Sequence, residues 1–206
     1  MFQNEYSSVL LQKAVEEIAS LPGIGRKSAL RMALHLLHEP EANVRRFSEA
    51  ILDFRTNIRF CPLCCMISDD ENCPYCANPK RDHSIVCVVE SHRDVLSIEN
   101  TGQYHGLYHV LGGIISPMDG IGPSDLSISK LAERVAQGDI KEVIMALSTS
   151  IEGETTSFYI YRRLEKYPVT ISTIARGVGF GDDLEYTDEL TLGRSITARQ
   201  LFIPNR

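Results

Sequence analysis

The sequence lacks two features that mark membrane and exported proteins. It has no apolar run of about 20 residues, the length needed to cross a bilayer. Its N-terminus, Met1-Phe2-Gln3-Asn4-Glu5, has no basic region followed by an apolar stretch, as a secretory signal would. With 206 residues, 43% of them hydrophobic, the chain is therefore predicted to be cytoplasmic, with one main core, smaller attachments and no membrane partner.

Nucleotide-binding loops are also missing. The glycine-rich stretch 112–123 does not end in the Gly-Lys-Ser/Thr of a phosphate-binding loop. Three later glycines do not have the spacing of a dinucleotide-binding fingerprint and are interpreted as turn residues: Gly177, Gly179 and Gly181.

A positive net charge is absent as well, since the formal net charge is -6. The acidity is uneven: residues 1–81 carry ten Lys or Arg and ten Asp or Glu, whereas residues 82–206 carry eleven and seventeen. Any contact with nucleic acid is therefore expected in the first part of the chain.

Cysteine is the most informative residue type that is present. Two Cys-Pro-x-Cys pairs, Cys61 with Cys64 and Cys73 with Cys76, are separated by eight residues. Zinc prefers four thiolates in a tetrahedron, and a two-residue gap lets each pair supply two adjacent corners. The pattern predicts a structural zinc module over residues 58–80, in which the metal supplies much of the folding energy.

Other uses of these cysteines remain open at this point. Cys73-Pro74-Tyr75-Cys76 has the form of a redox pair, four thiolates also bind iron, and disulfides are possible although an oxidising compartment is not indicated. His83 is a further candidate ligand that could replace one of the four cysteines. Cys65 is interpreted as a bystander, and Cys87, in the apolar run 85–89, as a buried small hydrophobic residue.

The N-terminal region has the pattern of two helices joined by a tight hairpin. Apolar residues follow helical spacing over 8–20 and again over 26–37, and Leu21-Pro22-Gly23-Ile24-Gly25 separates them. This is the sequence form of a helix-hairpin-helix, in which the glycines let a DNA phosphate approach the backbone at a helix N-terminus. The residues predicted to bind DNA without sequence preference are Gly23, Gly25, Arg26, Lys27 and Arg31.

Two simpler interpretations of this region are an ordinary tight turn between packed helices and a dimerisation element without DNA contact. A third helix is predicted over 41–58. Its apolar residues Val44, Phe47, Ile51 and Phe54 are expected to face inward, and Arg45, Arg46 and Arg55 outward.

After the cysteines, apolar strands alternate with amphipathic helices. Strands are predicted at 84–90, 108–111, 142–147 and 169–174, and helices at 91–100, 126–137 and 155–166. This alternation predicts an α/β domain whose parallel sheet is covered on both faces.

Acidic residues follow two of these strands. Glu90 ends the first, and Glu152 and Glu154 follow the strand that ends at Leu147. The arrangement resembles the Toprim domain, whose pattern is a glutamate at a strand end and a later Asp-x-Asp; here glutamates replace both aspartates. It leaves open a Mg²⁺-dependent nuclease or primase-like enzyme that uses these three carboxylates.

Taken together, the hairpin, the cysteine pairs, Cys87-Val-Val-Glu90, the stretch 113–123 and Glu152-Gly-Glu154 resemble the RecR family of bacterial recombination mediators over nearly the whole chain. One departure is Ser148-Thr149-Ser150, where many relatives have an Asn-Pro-Thr type of sequence. The resemblance implies a helical domain at 1–57, a zinc module at 58–80, a Toprim-like domain at 81–176 and a C-terminal segment at 177–206 involved in oligomerisation.

The same resemblance implies a role rather than a reaction. A member of this family would bind single- and double-stranded DNA as a homodimer or homotetramer that is able to form a ring-shaped clamp. It would act with RecO, and in some settings RecF, to load RecA onto single-stranded DNA coated by single-strand-binding protein. The patch of Glu90, Glu152 and Glu154 would then be a partner surface or a weak Mg²⁺ site, with no catalytic residue. An oligomeric scaffold without DNA contact is the remaining alternative.

Overall fold

The computed structural model describes residues 6–179 and 181–199. The predicted helical domain and C-terminal segment therefore extend outside the described residues at 1–5, 180 and 200–206. The chain divides into two units, Met1–Ile58 and Arg59–Arg206.

Three helices form the first unit: α1 (Val9–Ala19), α2 (Arg26–His38) and α3 (Glu41–Asn57). Ser8 caps α1, because its Oγ accepts a hydrogen bond from the Leu11 amide at 3.3 Å. The small core of this unit lies between α1 and α2 and is made by Val15, Ala29 and Ala33. Alanines at the contact allow the two helices to approach closely.

The apolar face of α3 differs from its prediction. No residue of α3 is buried, and Phe47, Ile51 and Phe54 are 54%, 54% and 60% exposed. The prediction that these residues face inward was wrong within a single chain, because the core of the unit is completed by α1 and α2.

The second unit is built on a four-stranded sheet, and its strands are β3 (Asp82–Val89), β4 (Gly106–Val110), β5 (Glu142–Ala146) and β6 (Thr170–Thr173). Their order is β4-β3-β5-β6, and every neighbouring pair is parallel. A short antiparallel hairpin, β1 (Arg59–Phe60) and β2 (Ile67–Ser68), precedes the sheet. The prediction of a parallel sheet from continuous apolar runs is confirmed.

Four helices accompany the strands: α4 (His92–Glu99), α5 (Ile128–Ala136), α6 (Ile151–Leu164) and α7 (Glu189–Thr197). Helix α6 begins four residues before its predicted start, because the Ser150 Oγ accepts a hydrogen bond from the Gly153 amide at 3.1 Å and caps the helix there. Gly153 is required at this turn, since a Cβ on it would lie 2.3 Å from the Ser148 carbonyl oxygen. Glu152 and Glu154 consequently lie in the first turn of α6.

The two faces of the sheet have different covers. On one face, Val86 and Val88 of β3 share a buried cluster with residues of α5 and α6, among them Leu131 and Ile160. On the other face, alternate residues such as Val89 pack with α4 and with the four predicted metal ligands. The cysteine module thus forms part of the core of the second unit. In the described part of the chain, no helix is long and apolar enough to span a membrane.

Candidate metal centre and nucleic-acid interface

The two cysteine pairs converge on one point. The four Sγ atoms of Cys61, Cys64, Cys73 and Cys76 lie within 4.8 Å of one another, and all four residues are buried. Thiolates at about 2.3 Å from a common ion are about 3.8 Å apart, so the cluster has the dimensions of a tetrahedral metal site. The quartet is able to bind a metal ion such as zinc.

Each pair is held by the hydrogen bonds of its own backbone. In the first, the Cys61 amide donates to the Met66 carbonyl at 2.8 Å across the β1–β2 hairpin, and Cys65 takes a left-handed conformation with φ of 61°. In the second, the Cys76 amide points at the Cys73 Sγ at 3.5 Å. An amide directed at sulfur, as in the second pair, stabilises negative charge on that sulfur, as a metal thiolate requires.

The protonation of the quartet favours a bound cation. The Cys64 thiol hydrogen-bonds to Cys73, which lowers the pKa of Cys73 and raises the pKa of Cys64. Without a metal the buried cluster therefore carries less than its full negative charge, since each further thiolate would be repelled by the first. A divalent ion removes that repulsion and allows all four thiolates to form.

The alternative uses of nearby residues find little support in the geometry. His83 is exposed, and its Nε2 lies 3.0 Å from the Asn78 carbonyl, outside the quartet. Turns and then β3 come directly after Cys76, whereas a redox pair would open a helix. All six cysteines are free of disulfides. Cys87 is buried as predicted, and burial raises its pKa to about 12.

Direct contacts fix the module to the sheet. The Val110 amide at the end of β4 donates to the Cys64 carbonyl at 2.8 Å. Tyr75, between the second pair of cysteines, packs edge-on against Tyr108 of β4 with ring centroids 5.3 Å apart. His92 of α4 reaches the module as well, because its Nε2 lies 3.2 Å from the Cys65 carbonyl.

A partly buried ion pair completes this junction and was not found from the sequence. Arg81 Nη2 donates to both carboxylate oxygens of Glu99 at 2.7 and 2.5 Å, and Nη1 donates to the Gly106 carbonyl at 2.7 Å. The guanidinium carbon also lies 4.9 Å from the centre of the Tyr75 ring. Burial would raise the pKa of Glu99, but the hydrogen bonds from Arg81 and Tyr108 bring it below its ordinary value. One arginine thus joins the module, α4 and β4.

Replacing Arg81 with Met should lower the free energy of unfolding of the second unit by about 2 kcal/mol, because it leaves the partly buried Glu99 carboxylate without its cation. Tyrosine fluorescence during urea unfolding would report the change, since Tyr75, Tyr104 and Tyr108 surround the site.

The matched control is Arg45→Met, which breaks another Arg–Glu pair, with Glu41. That pair is 64% and 85% exposed, so the loss should stay within about 0.5 kcal/mol. Equal losses for both variants would contradict a special role for Arg81.

The N-terminal hairpin has the geometry of a phosphate-binding turn. Gly23 has φ of +80°, which favours glycine, and the Ile24 amide closes the turn on the Leu21 carbonyl at 3.1 Å. Gly25 caps α2 with an ordinary extended conformation, and a Cβ added to it would meet no atom within 4 Å. Nothing in the described part of the chain therefore requires glycine at position 25, and the surface above it is open to those residues.

The predicted DNA-binding side chains surround this open surface. Arg26 and Lys27 lie in the first turn of α2, and Arg31 follows Lys27 by one turn on the same side of the helix. All three are exposed, while Ala29 between them is fully buried. The hairpin thus presents a helix N-terminus together with three basic side chains.

The acidic residues of the Toprim-like domain have unequal surroundings. Glu90 Oε1 accepts a hydrogen bond from the Ser148 amide at 2.5 Å. Glu154 Oε1 accepts from two arginines that sequence reasoning did not connect with it, Arg176 at 3.1 Å and Arg194 at 3.0 Å. Glu152 has no ion pair with any residue that the structure describes.

Among the described residues, these three carboxylates are not grouped as the ligands of one metal ion. In residues 6–179 and 181–199, the cysteine quartet is the only group of three or more Cys, His, Asp or Glu side chains placed to hold an ion. The two guanidinium groups on Glu154 neutralise a charge that a Mg²⁺ ligand would need to keep available. The patch therefore presents free negative charge mainly at Glu90 and Glu152.

Comparisons with known proteins agree with this arrangement. The chain matches the family models described as "RecR, helix-hairpin-helix" at residues 11–55, "Toprim domain" at 84–175 and "RecR, C-terminal" at 177–200. It is 60% identical over 198 residues to the recombination protein RecR of Bacteroides thetaiotaomicron, covering 96% of this chain and 97% of that protein. It is 58% identical to the RecR of Porphyromonas gingivalis strain W83, with 96% of each chain covered. The RecR of Flavobacterium johnsoniae is 54% identical, again with 96% of each chain covered.

Proposed function

The chain belongs to the RecR family of bacterial recombination proteins, and from this membership we propose that it is a non-enzymatic mediator of DNA repair in the cytoplasm. In this role it helps RecO, and in some settings RecF, to load RecA onto single-stranded DNA that single-strand-binding protein has coated. The observation that carries the proposal is the hairpin with its open glycine and exposed basic residues, in one chain with an acidic Toprim-like surface.

DNA binding is assigned to the hairpin. The glycine turn and the N-terminus of α2 would receive a phosphate group, and Arg26, Lys27 and Arg31 would supply the positive charge. Such contacts reach only the sugar-phosphate backbone, so binding should be independent of sequence, should include single- and double-stranded DNA, and should weaken steeply with salt.

The cysteine quartet is assigned to structural zinc. All four corners of the site are taken by protein sulfur, which leaves no open position for a substrate. Cys61, Cys64, Cys73 and Cys76 would hold the ion, and the ion would hold the module against β4.

The acidic patch is assigned to partner recognition rather than to catalysis. Glu154 is engaged by two arginines, which leaves too few free carboxylates for the metal chemistry of Toprim enzymes. Glu90 and Glu152 remain as negative groups that a basic surface of RecO would recognise.

Self-association is supported by α3. Three of its exposed apolar residues, Phe47, Ile51 and Phe54, are spaced at three and four positions and so share one helix face. A second copy of the chain would bury this face, as expected of a homodimer or homotetramer, and a ring of such copies would be able to encircle DNA. The C-terminal segment 177–206 is proposed to contribute to the same assembly.

The partner assignment predicts that Glu152→Lys loses RecO while keeping DNA. In a pull-down with purified RecO and with DNA, retention of RecO should fall about tenfold or more because one attractive charge becomes repulsive, and DNA retention should stay unchanged.

Asp139→Lys is the control for this experiment. Asp139 is exposed and precedes the amino end of β5, whereas Glu152 follows the carboxyl end of the same strand. The same change in charge at Asp139 should therefore leave both partners bound. If Glu152→Lys binds RecO as the wild type does, the patch is not the partner surface.

A further inference from the structure

A single apolar side chain projects from the glycine-rich loop that follows β4. Met118 is 96% exposed, the highest exposure among the large apolar residues that the structure describes. One exposed apolar residue is normal on a protein surface. Met118 differs from such a residue because the backbone on both sides of it is held by hydrogen bonds.

The loop around Met118 is a closed turn. Ser116 and Ile121 pair through two backbone hydrogen bonds of 3.0 and 2.9 Å. Within that pair, the Ser116 Oγ donates to the Asp119 carboxylate at 2.6 Å, and Gly120 takes the left-handed conformation with φ of 72° that lets the chain return. Met118 therefore stands at the tip of a turn whose backbone is fixed on both sides.

The base of the turn is fixed to α6. The Ile115 amide donates to the Thr156 Oγ1 at 2.9 Å, and both residues are buried. Thr156 in turn donates to the carbonyl of Glu152 at 2.7 Å. The turn is thus attached to the helix turn that carries Glu152.

Apolar and acidic groups share this edge of the sheet. Ile151, the residue before Glu152, is 82% exposed. Met118 is three residues from Ile115, and Ile151 is five residues from Thr156 along a helix, so the two apolar side chains fall within about 20 Å of each other. An interface that covers about 800 Å² on each partner is wide enough to span this distance. Asp119 beside Met118 and Glu152 beside Ile151 give this surface a negative rim.

We propose that Met118 is an apolar anchor of the partner surface, and that it enters an apolar pocket bordered by basic residues on the partner protein. The inference rests on the proposed function, because it deepens the assignment of Glu152 to partner recognition. The negative rim would repel a phosphate backbone, which favours a protein over DNA as the occupant. A methionine fits irregular apolar pockets well, and a fixed turn reduces the entropy lost on binding.

The test measures binding of purified RecO to the full-length protein by surface plasmon resonance at several salt concentrations. Met118→Ala should weaken binding about tenfold or more, mainly through faster dissociation and without a change in salt dependence. Met118→Asp, which places a charge in the apolar pocket, should weaken binding at least as much. Met118→Leu, which keeps an apolar group, should stay within about threefold of the wild type. Glu152→Lys should act differently, by slowing association and reducing the salt dependence. Because Met118 is exposed, its variants should unfold as the wild type does.

Each other outcome decides against the inference. If Glu152→Lys weakens binding and the Met118 variants do not, the anchor is wrong and the partner surface stands. If neither variant weakens binding, or if the wild type does not bind RecO, the partner surface and the anchor both fail. A change in the mass of the assembly on Met118→Asp would identify a second copy of this chain as the occupant and would overturn the assignment to a different protein.

Discussion

Reversal of charge at Lys27 and Arg31 together should abolish measurable DNA binding. Both residues are exposed on one side of α2, next to the open glycine turn. The double change to Glu removes two positive charges and adds two negative ones where phosphate would lie. We expect the affinity to fall by about 100-fold or more at moderate salt, and the slope of log affinity against log salt to decrease by about two.

Fluorescence anisotropy with labelled single-stranded and duplex DNA, titrated at three salt concentrations, measures both quantities. Lys130→Glu with Lys141→Glu is the control, because both lysines are exposed and belong to the second unit. It makes the same change in net charge and should leave most of the affinity. If the two double variants lose affinity equally, binding follows net charge rather than the hairpin.

A more local variant separates the turn from the charges. Ala in place of Gly25 meets no atom of the chain and needs no unusual backbone angle, so the first unit should keep its fold. Its methyl group would occupy the surface where a phosphate approaches. Lower DNA affinity for this variant at an unchanged salt slope would agree with a close approach of the DNA backbone.

Replacement of Cys61 with Ser should remove the metal and weaken the second unit as a whole. The quartet belongs to the same buried cluster as Val89 and Tyr108 of the sheet. Loss of the ion leaves buried thiols without compensation and frees the module from β4. Structural zinc contributes about 10 kcal/mol to the folding of isolated small modules. Here, where a sheet remains, we expect the free energy of unfolding to fall by about 3 kcal/mol or more.

Metal content per chain and urea unfolding of the same samples give the two readouts. Elemental analysis also distinguishes zinc from iron, which spacing alone does not do. Cys65→Ser is the matched control, since Cys65 lies next to Cys64 but outside the quartet. It should keep one ion per chain and most of its stability. DNA affinity should change little in either variant, because the hairpin belongs to the other unit.

Two results would contradict this account of the quartet. Full metal content in Cys61→Ser would show that the four sulfurs are not the ligands. Loss of metal without loss of stability would show that the fold of the sheet does not depend on the metal-bound module.

The sequence predicted those features that depend on neighbours along the chain. Two Cys-Pro-x-Cys pairs specify a four-sulfur site because each pair forms its own turn, and the structure brings all four together. The parallel sheet was predicted in the same way, because strands buried on both faces have continuous apolar runs.

Other features required the fold. No sequence pattern connects Arg81 with Glu99, 18 residues later, or Glu154 with Arg176 and Arg194, which follow it by 22 and 40 residues. The sequence does not distinguish an exposed charged residue from a partly buried residue that forms an ion pair. Only the packing of helices and strands shows which of the two it is. The prediction that the apolar face of α3 is buried was wrong for a related reason. Helical periodicity shows that a helix has an apolar face, but not whether residues of the same chain pack against it.

The amino-acid sequence by itself therefore determined the order of the parts: a glycine hairpin with basic residues, a four-cysteine site and a parallel α/β domain with acidic strand ends. These are local patterns, fixed by backbone geometry and by the spacing of side chains. Only the tertiary structure decided that the cysteine site is part of the sheet's core, that Glu154 is neutralised while Glu152 is not, and that Met118 stands on a fixed turn. Each of these depends on contacts between segments that are distant in the chain.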